Sequence, residues 1–202
     1  MRVPRIAILD YGSGNLHSVS RAIAAVGGEP IVTGDAEVVS RADALVIPGV
    51  GHFGQCVRAI CHHGLDAAIR DVATSGRPVF GVCVGMQVLF ERSDEDEEEG
   101  LGMFPGRSRR LPATVKVPHM GWNEVAWSGH VYAEGVPDRA RFYFVHSYAP
   151  DVSDDAVGVT EHGRPFAAAV ARDNVFATQF HPEKSGVEGL RLYDNFVRAV
   201  AA

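Results

Sequence analysis

Three cysteines in 202 residues are too few, and an odd number, for a disulfide framework; they suit a reducing, cytoplasmic setting. Long hydrophobic runs are missing as well. The N-terminus, MRVPRIAILDYGSGN, has a four-residue apolar run before Asp10. That is too short for a signal-peptide core, and no later stretch approaches the ~18 apolar residues of a membrane span. Positive charge is outweighed: 19 Lys and Arg against 25 Asp and Glu leave a formal net charge of −6. This argues against nucleic acid or an anionic membrane surface as a partner. No phosphate-cradling glycine loop with its lysine is present. Cys56, Cys61, His62 and His63 lack any zinc-ligand spacing, and the run SDEDEEEG lacks the Asp/Asn/Gly periodicity of a calcium loop. No metal and no cofactor are expected. No repeat or linker divides the chain, so residues 1–202 read as one domain.

The first half alternates short aliphatic runs with helical patterns. RIAILDY, PIVTG, ALVIPG and RPVFGVC read as buried strands. Asn15 is placed to cap a helix in which Leu16, Val19, Ile23 and Val26 recur at helical spacing, with Gly27 and Gly28 as its stop. One or two helices lie between Gly51 and Gly76, and VGMQVLFER reads as another. Strands apolar on both faces, alternating with helices, imply a mostly parallel central sheet with helices on both faces. The second half is β-branched and aromatic with short turns, an antiparallel β extension. A last amphipathic helix sets Leu190, Tyr193, Phe196, Val197 and Val200 on one side. The acidic run at 94–99 reads as a solvated, mobile loop, because like charges at this density repel.

One short stretch stands out. Gly81-Val82-Cys83-Val84-Gly85 puts a thiol between two glycines where a strand gives way to a helix. Residues without a Cβ let strand and helix approach closely, the geometry of the G-x-S-x-G elbow with sulfur in place of oxygen. A helix N-terminus favours a thiolate, and the Val84 N–H faces the place where an oxyanion would form. The plainer reading of Cys83 is a small core residue. Partners decide between the two. His181, in FATQFHPEKS, ends an apolar strand, and Glu183 is two residues on, close enough to orient the imidazole. IPGVGHFGQ adds a glycine-flanked loop at the carboxyl edge of a parallel sheet, where open α/β folds bind ligands.

GVCVGMQ together with HPEKS resembles the class I (triad) glutamine amidotransferases, over essentially the whole chain. DYGSGNL, PGVGHFG, KVPHMGWN, YFVHSY and ATQFHPEKS, in that order, resemble the glutaminase subunits of imidazole glycerol phosphate synthases; KVPHMGWN is the most specific of them. The resemblance implies a flavodoxin-like fold and L-glutamine as substrate. Cys83 would be the nucleophile, His181 the proton carrier and Glu183 its orienter. Val84 and the Val50–Gly51 peptide would supply oxyanion donors, with Gln87, Ser147 and Tyr148 lining the glutamine pocket. Ammonia would pass to a separate (β/α)₈-barrel cyclase subunit. There it would react with a phosphoribulosyl-formimino aminoimidazole carboxamide nucleotide, giving imidazole glycerol phosphate and an aminoimidazole carboxamide ribotide for histidine biosynthesis. Trp122 and Lys184 fall in the segments the family uses for docking.

The resemblance also implies gating. The glycines of Pro48-Gly49-Val50-Gly51 allow two peptide orientations, and an isolated chain would rest in the inactive one. Ala149 stands where the family often repeats tyrosine. Three alternatives remain open at this point. They are a glutaminase serving a pyridoxal-phosphate or aminodeoxychorismate synthase, a catalytically idle binding subunit, and an unrelated thiol hydrolase.

Overall fold

The computed structural model describes residues 2–202. The four aliphatic runs of the first half become β1 (Arg5–Leu9), β2 (Glu29–Thr33), β3 (Ala44–Gly49) and β4 (Val79–Cys83), parallel and in the order β2-β1-β3-β4. β3 and β4 are buried at every position, as a sheet covered on both faces requires. The expectation of burial fails for β2. It is the edge strand, beyond the full cover of the helices, and Val32 is exposed.

α1 (Leu16–Ala25) packs beside the C-terminal helix on one face. In the rest of the helical cover α2 (Ala36–Arg41) and α3 (Phe53–His62) each pack against α4 (Leu65–Thr74). Gly64, at φ +65°, separates α3 from α4. Asp35 caps α2 by accepting from the Glu37 N–H at 2.8 Å. Asn15 sits at the N-cap position of α1 but makes no capping bond. Its amide donates instead to Glu183 Oε1, 3.3 Å away. Tertiary demand overrides the local cap.

α5 (Val84–Gln87) is a single turn, shorter than the helix expected through Arg92. Phe90 leaves the helical path to stack on Phe104 at 5.3 Å, and Phe90–Ser93 becomes β5. The acidic run is also corrected. It forms β6 (Asp96–Glu99), paired antiparallel with β5, which in turn lies beside β7 (Phe104–Arg110). The repulsion expected there is offset by cations: Arg58 meets Glu98 at 3.0 Å, Arg92 meets Glu99 at 2.7 Å and Arg107 meets Asp94 at 3.4 Å. Glu95 also accepts the Phe53 N–H at 2.8 Å, satisfying a free amide at the start of α3.

The remaining strands are β8 (His119–Glu124), β9 (Ala126–Trp127), β10 (Arg141–His146), β11 (Tyr148–Pro150), β12 (Ala156–Glu161), β13 (Pro165–Arg172) and β14 (Val175–Thr178). β14 joins β4 in parallel, and β13, β12 and β9 continue the sheet antiparallel. β8 pairs only with β10, and β11 pairs with β7, so the second half is divided among three sheets rather than one meander. HPEKS is not extended: a short 3₁₀ turn spans Pro182–Lys184. α6 (Gly186–Ala201) buries Gly189, Leu192, Tyr193, Phe196 and Val197, whereas Leu190 of the expected face is exposed. Under the sheet, Phe80 packs against Phe176, Tyr193 and Phe196 with ring centroids 4.9–5.4 Å apart.

The parallel order β2-β1-β3-β4-β14 is that of a doubly wound, flavodoxin-like sheet. Its carboxyl edge is where such folds hold ligands.

Candidate active site

Cys83 ends β4 and opens α5 with φ 57° and ψ −114°, a backbone state that a residue with a side chain holds only when its surroundings enforce it. The glycines explain how. A Cβ on Gly85 would overlap the Ile47 carbonyl oxygen, and one on Gly81 would lie 2.8 Å from the Gly85 carbonyl oxygen. β3, β4 and the first turn of α5 are therefore in direct backbone contact. No chain with side chains at 81 and 85 could make this corner.

His181 follows β14 by three residues and is almost fully buried. Its Nδ1 lies 2.8 Å from Glu183 Oε1, so Nδ1 carries the hydrogen and donates. Nε2 is buried without a hydrogen-bond partner, as is Glu183 Oε2. Burial works against a charged ring, but Cys83 and the Glu183 carboxylate more than offset it, and the His181 pKa is pushed up to about 10.

A cavity of about 250 Å³ opens onto these groups. Val50, Gly51, Cys83, Val84, Gln87, Ser147, Tyr148 and His181 all line it, and Glu183 stands behind His181. Glu95, Pro118, Val145 and His146 line it too; the last three fall in KVPHMGWN and YFVHSY, but nothing in those motifs alone marks them as cavity residues. Glu95 belongs to the acidic run that reads in sequence as a solvated loop; only the folding of that run beside β5 and against the start of α3 brings it to the cavity.

The loop after β3 is clasped by Ser13. Its hydroxyl donates to the Val50 carbonyl at 2.6 Å and accepts from the Val50 N–H at 3.2 Å. Because a trans peptide sets C=O and N–H antiparallel, the Gly51 N–H is turned away from Ser13. Gly51 itself has φ +93°, a conformation suited to glycine.

Trp122 and Lys184 lie outside the cavity lining. Trp122 is 54% exposed, which excludes core packing, and Met120 beside it is 62% exposed. Trp122 meets Tyr143 edge-on at 6.2 Å, and the Lys184 ammonium lies 5.9 Å from the same ring. Ala149 is fully buried, and its carbonyl accepts from Arg164. Cys61 is exposed, and among the described residues no group of three or more His, Cys, Asp or Glu side chains could hold a metal ion. No helix among them is long and apolar enough to cross a membrane.

Comparison with known proteins places this arrangement. A family model described as glutamine amidotransferase class-I matches residues 7–200. The imidazole glycerol phosphate synthase subunit HisH of Dechloromonas aromatica (strain RCB) is 47% identical over 205 residues, covering 95% of this chain and 95% of that protein. The protein of the same name from Bacillus cereus (strain G9842) is 43% identical over 206 residues, covering 98% and 96%. Among solved structures, PurLQS from Thermotoga maritima aligns with a TM-score of 0.76 at 18% identity, covering 98% of this chain and 99% of that one. The glutaminase domain of Trypanosoma brucei CTPS aligns with a TM-score of 0.71 at 18% identity, covering 98% and 94%. These last two share the fold.

Proposed function

The chain belongs to the class-I glutamine amidotransferases, and from that premise we propose that it is the glutaminase subunit of an imidazole glycerol phosphate synthase. It hydrolyses L-glutamine to glutamate and ammonia for histidine biosynthesis. The observation that carries the reading is the convergence of Cys83, held at positive φ on the sheet edge, with the buried His181–Glu183 pair on one cavity. Identity above 40% to synthase subunits over nearly the full chain selects this synthase over the pyridoxal-phosphate and aminodeoxychorismate systems.

The Cys83 sulfur, as thiolate, attacks the side-chain amide carbon of glutamine. Charge moves to the carbonyl oxygen, where the Val84 N–H and an N–H of the Val50–Gly51 loop serve as donors. His181, carrying a proton on Nε2, gives it to the amide nitrogen; the C–N bond breaks, ammonia leaves and a glutamyl thioester remains. Water then attacks the thioester while His181 takes its proton. Glutamate departs and the thiolate returns. Glu183 keeps Nδ1 protonated, so that Nε2 is always the nitrogen that works. Glu95 gives the cavity a carboxylate suited to an α-ammonium group, with Gln87, Ser147 and Tyr148 around the substrate.

The ammonia goes to a (β/α)₈-barrel cyclase subunit in a cytoplasmic heterodimer, docked over Met120, Trp122 and Lys184. An exposed tryptophan and methionine beside a cation have the make-up of an interface core. The Ser13 clasp supports gating by that partner. It occupies the Val50 N–H, and a loop rearrangement that broke the clasp would release this N–H for the oxyanion. The test is steady-state glutamate production by the chain alone, with the cyclase, and with cyclase plus its nucleotide ligand. Turnover rising across the three supports the reading. Equal turnover in all three ends the gating, and no glutamate in any ends the glutaminase.

A further inference from the structure

Glutamine hydrolysis by this chain needs the Cys83 sulfur as an anion, and the role of Gln179 rests on that reading. Gln179 comes directly after β14 and is fully buried, with its side-chain nitrogen 3.8 Å from Cys83 Sγ. Which end of a buried amide faces a neighbour is decided by its other bonds. Here the Tyr148 carbonyl oxygen decides it, because a carbonyl can only accept. The end of Gln87 that lies 2.9 Å from that oxygen must be its NH₂. The same NH₂ lies 2.9 Å from Gln179, which must therefore turn its oxygen to Gln87. The remaining end of Gln179, the one facing sulfur, is an N–H donor.

The other side of the Tyr148 carbonyl is fixed by the same logic. His146 Nδ1 lies 2.8 Å from it and must carry the hydrogen. In the neutral ring Nε2 is then a lone pair, 3.1 Å from His119 Nδ1, which donates to it. His119 Nε2 in turn faces the Asn123 amide at 3.4 Å, and that amide is oriented by the Glu161 carbonyl and the Glu124 N–H, each at 2.9 Å. Gln87 and His146 thus hold one carbonyl from both sides, backed by Gln179 and His119, and every hydrogen in the network has a determined place.

We propose that Gln179 is a further catalytic residue, whose amide N–H donates to the Cys83 thiolate and stabilises the charged sulfur. A donor to an anion is worth more than a neutral pair, and Cys83 and Gln179 are both buried. The uncharged thiol has a separate acceptor, the Val145 carbonyl oxygen at 3.9 Å, so the Gln179 donor favours the anion selectively.

The experiment compares the unaltered chain with Gln179→Met, of similar length without a donor, and Gln179→Glu, nearly isosteric with an acceptor. Each is alkylated with iodoacetamide at neutral pH, and labelling is read peptide by peptide. Cys61 is exposed and serves as the internal reference, and buried Cys56 reports loosening. Cys83 should react roughly three- to tenfold more slowly in Gln179→Met, and more slowly still in Gln179→Glu, with Cys61 unchanged. Cys83 labelling at the unaltered rate in both variants overturns the proposal. So does labelling of Cys56 in both, which would make Gln179 a packing residue. The glutaminase reading has its own control: a glutamine-like diazoketone that fails to label Cys83 in the unaltered chain sinks that reading, whatever Gln179 does.

Discussion

At the scale of single residues, the three candidate catalytic groups have separable roles. Cys83→Ala removes the nucleophile without touching the acceptor chemistry, which lies on the partner. Glutamine-dependent synthesis should vanish while synthesis from added ammonium salts persists, both read as imidazole glycerol phosphate formed by the complex. Glu183→Gln leaves the imidazole but exchanges its charged orienter for a neutral one, so turnover should fall by orders of magnitude, ~10² or more, without disappearing. Unchanged turnover, or activity restored by zinc, would contradict the orienting role. These three residues were legible because a reactive side chain between glycines and a histidine two residues before a glutamate carry their chemistry in local spacing. Gln179, His119, His146 and Ser13 were not. Gln179, His119 and Ser13 bond Cys83, His146 and Val50, all distant in sequence; His146 bonds Tyr148 only two residues on, but nothing local marks a glutamine or a histidine as one link in a network.

Elements show where local reasoning held and where it was overruled. Parallel strands and their helices followed from apolar runs and turn glycines, since the sheet is covered on both faces. The failures have a common cause. β2 lies at an edge, α5 yields to the burial of Phe90, and the acidic run is stapled by Arg58, Arg92 and Arg107. Each depends on which element ends up beside it. The loop after β3 carries a prediction of its own. Ser13→Ala removes both bonds of the clasp on Val50 and leaves the cavity lining intact. Glutamate release by the chain without its partner should rise, roughly tenfold for one or two lost hydrogen bonds, and the partner's stimulation should shrink in proportion. A variant as slow as the unaltered chain would remove the clasp from the gate.

For the molecule as a whole, titration links the site to stability. Burial, with neighbouring histidines adding to it, lowers the His146 pKa to about 3 and that of His119 to about 4. In the unfolded chain both would titrate near ~6.5. Between those values the unfolded state binds more protons, so stability falls as pH drops from roughly 6.5 toward 4. His181 has the opposite sign. Its folded pKa of about 10 gives stability that is complete below ~6.5 and lost as pH rises through 10. Thermal unfolding followed across pH should show the acid-side slope, and His146→Asn should flatten it. A slope identical in the two proteins would show that other groups govern acid unfolding.

The corner at Cys83 has one more consequence. A backbone angle of φ 57° is an unrelaxed state for any residue with a Cβ, so selection for reactivity here works against thermal endurance. Two inactive replacements expose the conflict. Cys83→Ala keeps the Cβ and its unfavourable torsion; Cys83→Gly removes both. If the angle is costly in the folded protein, the glycine variant should melt a few degrees above the alanine variant, ~1 kcal/mol being about that much for a chain of this size. A lower melting temperature for Cys83→Gly would mean that the corner is at ease with its side chain, and that catalytic readiness here takes nothing from endurance.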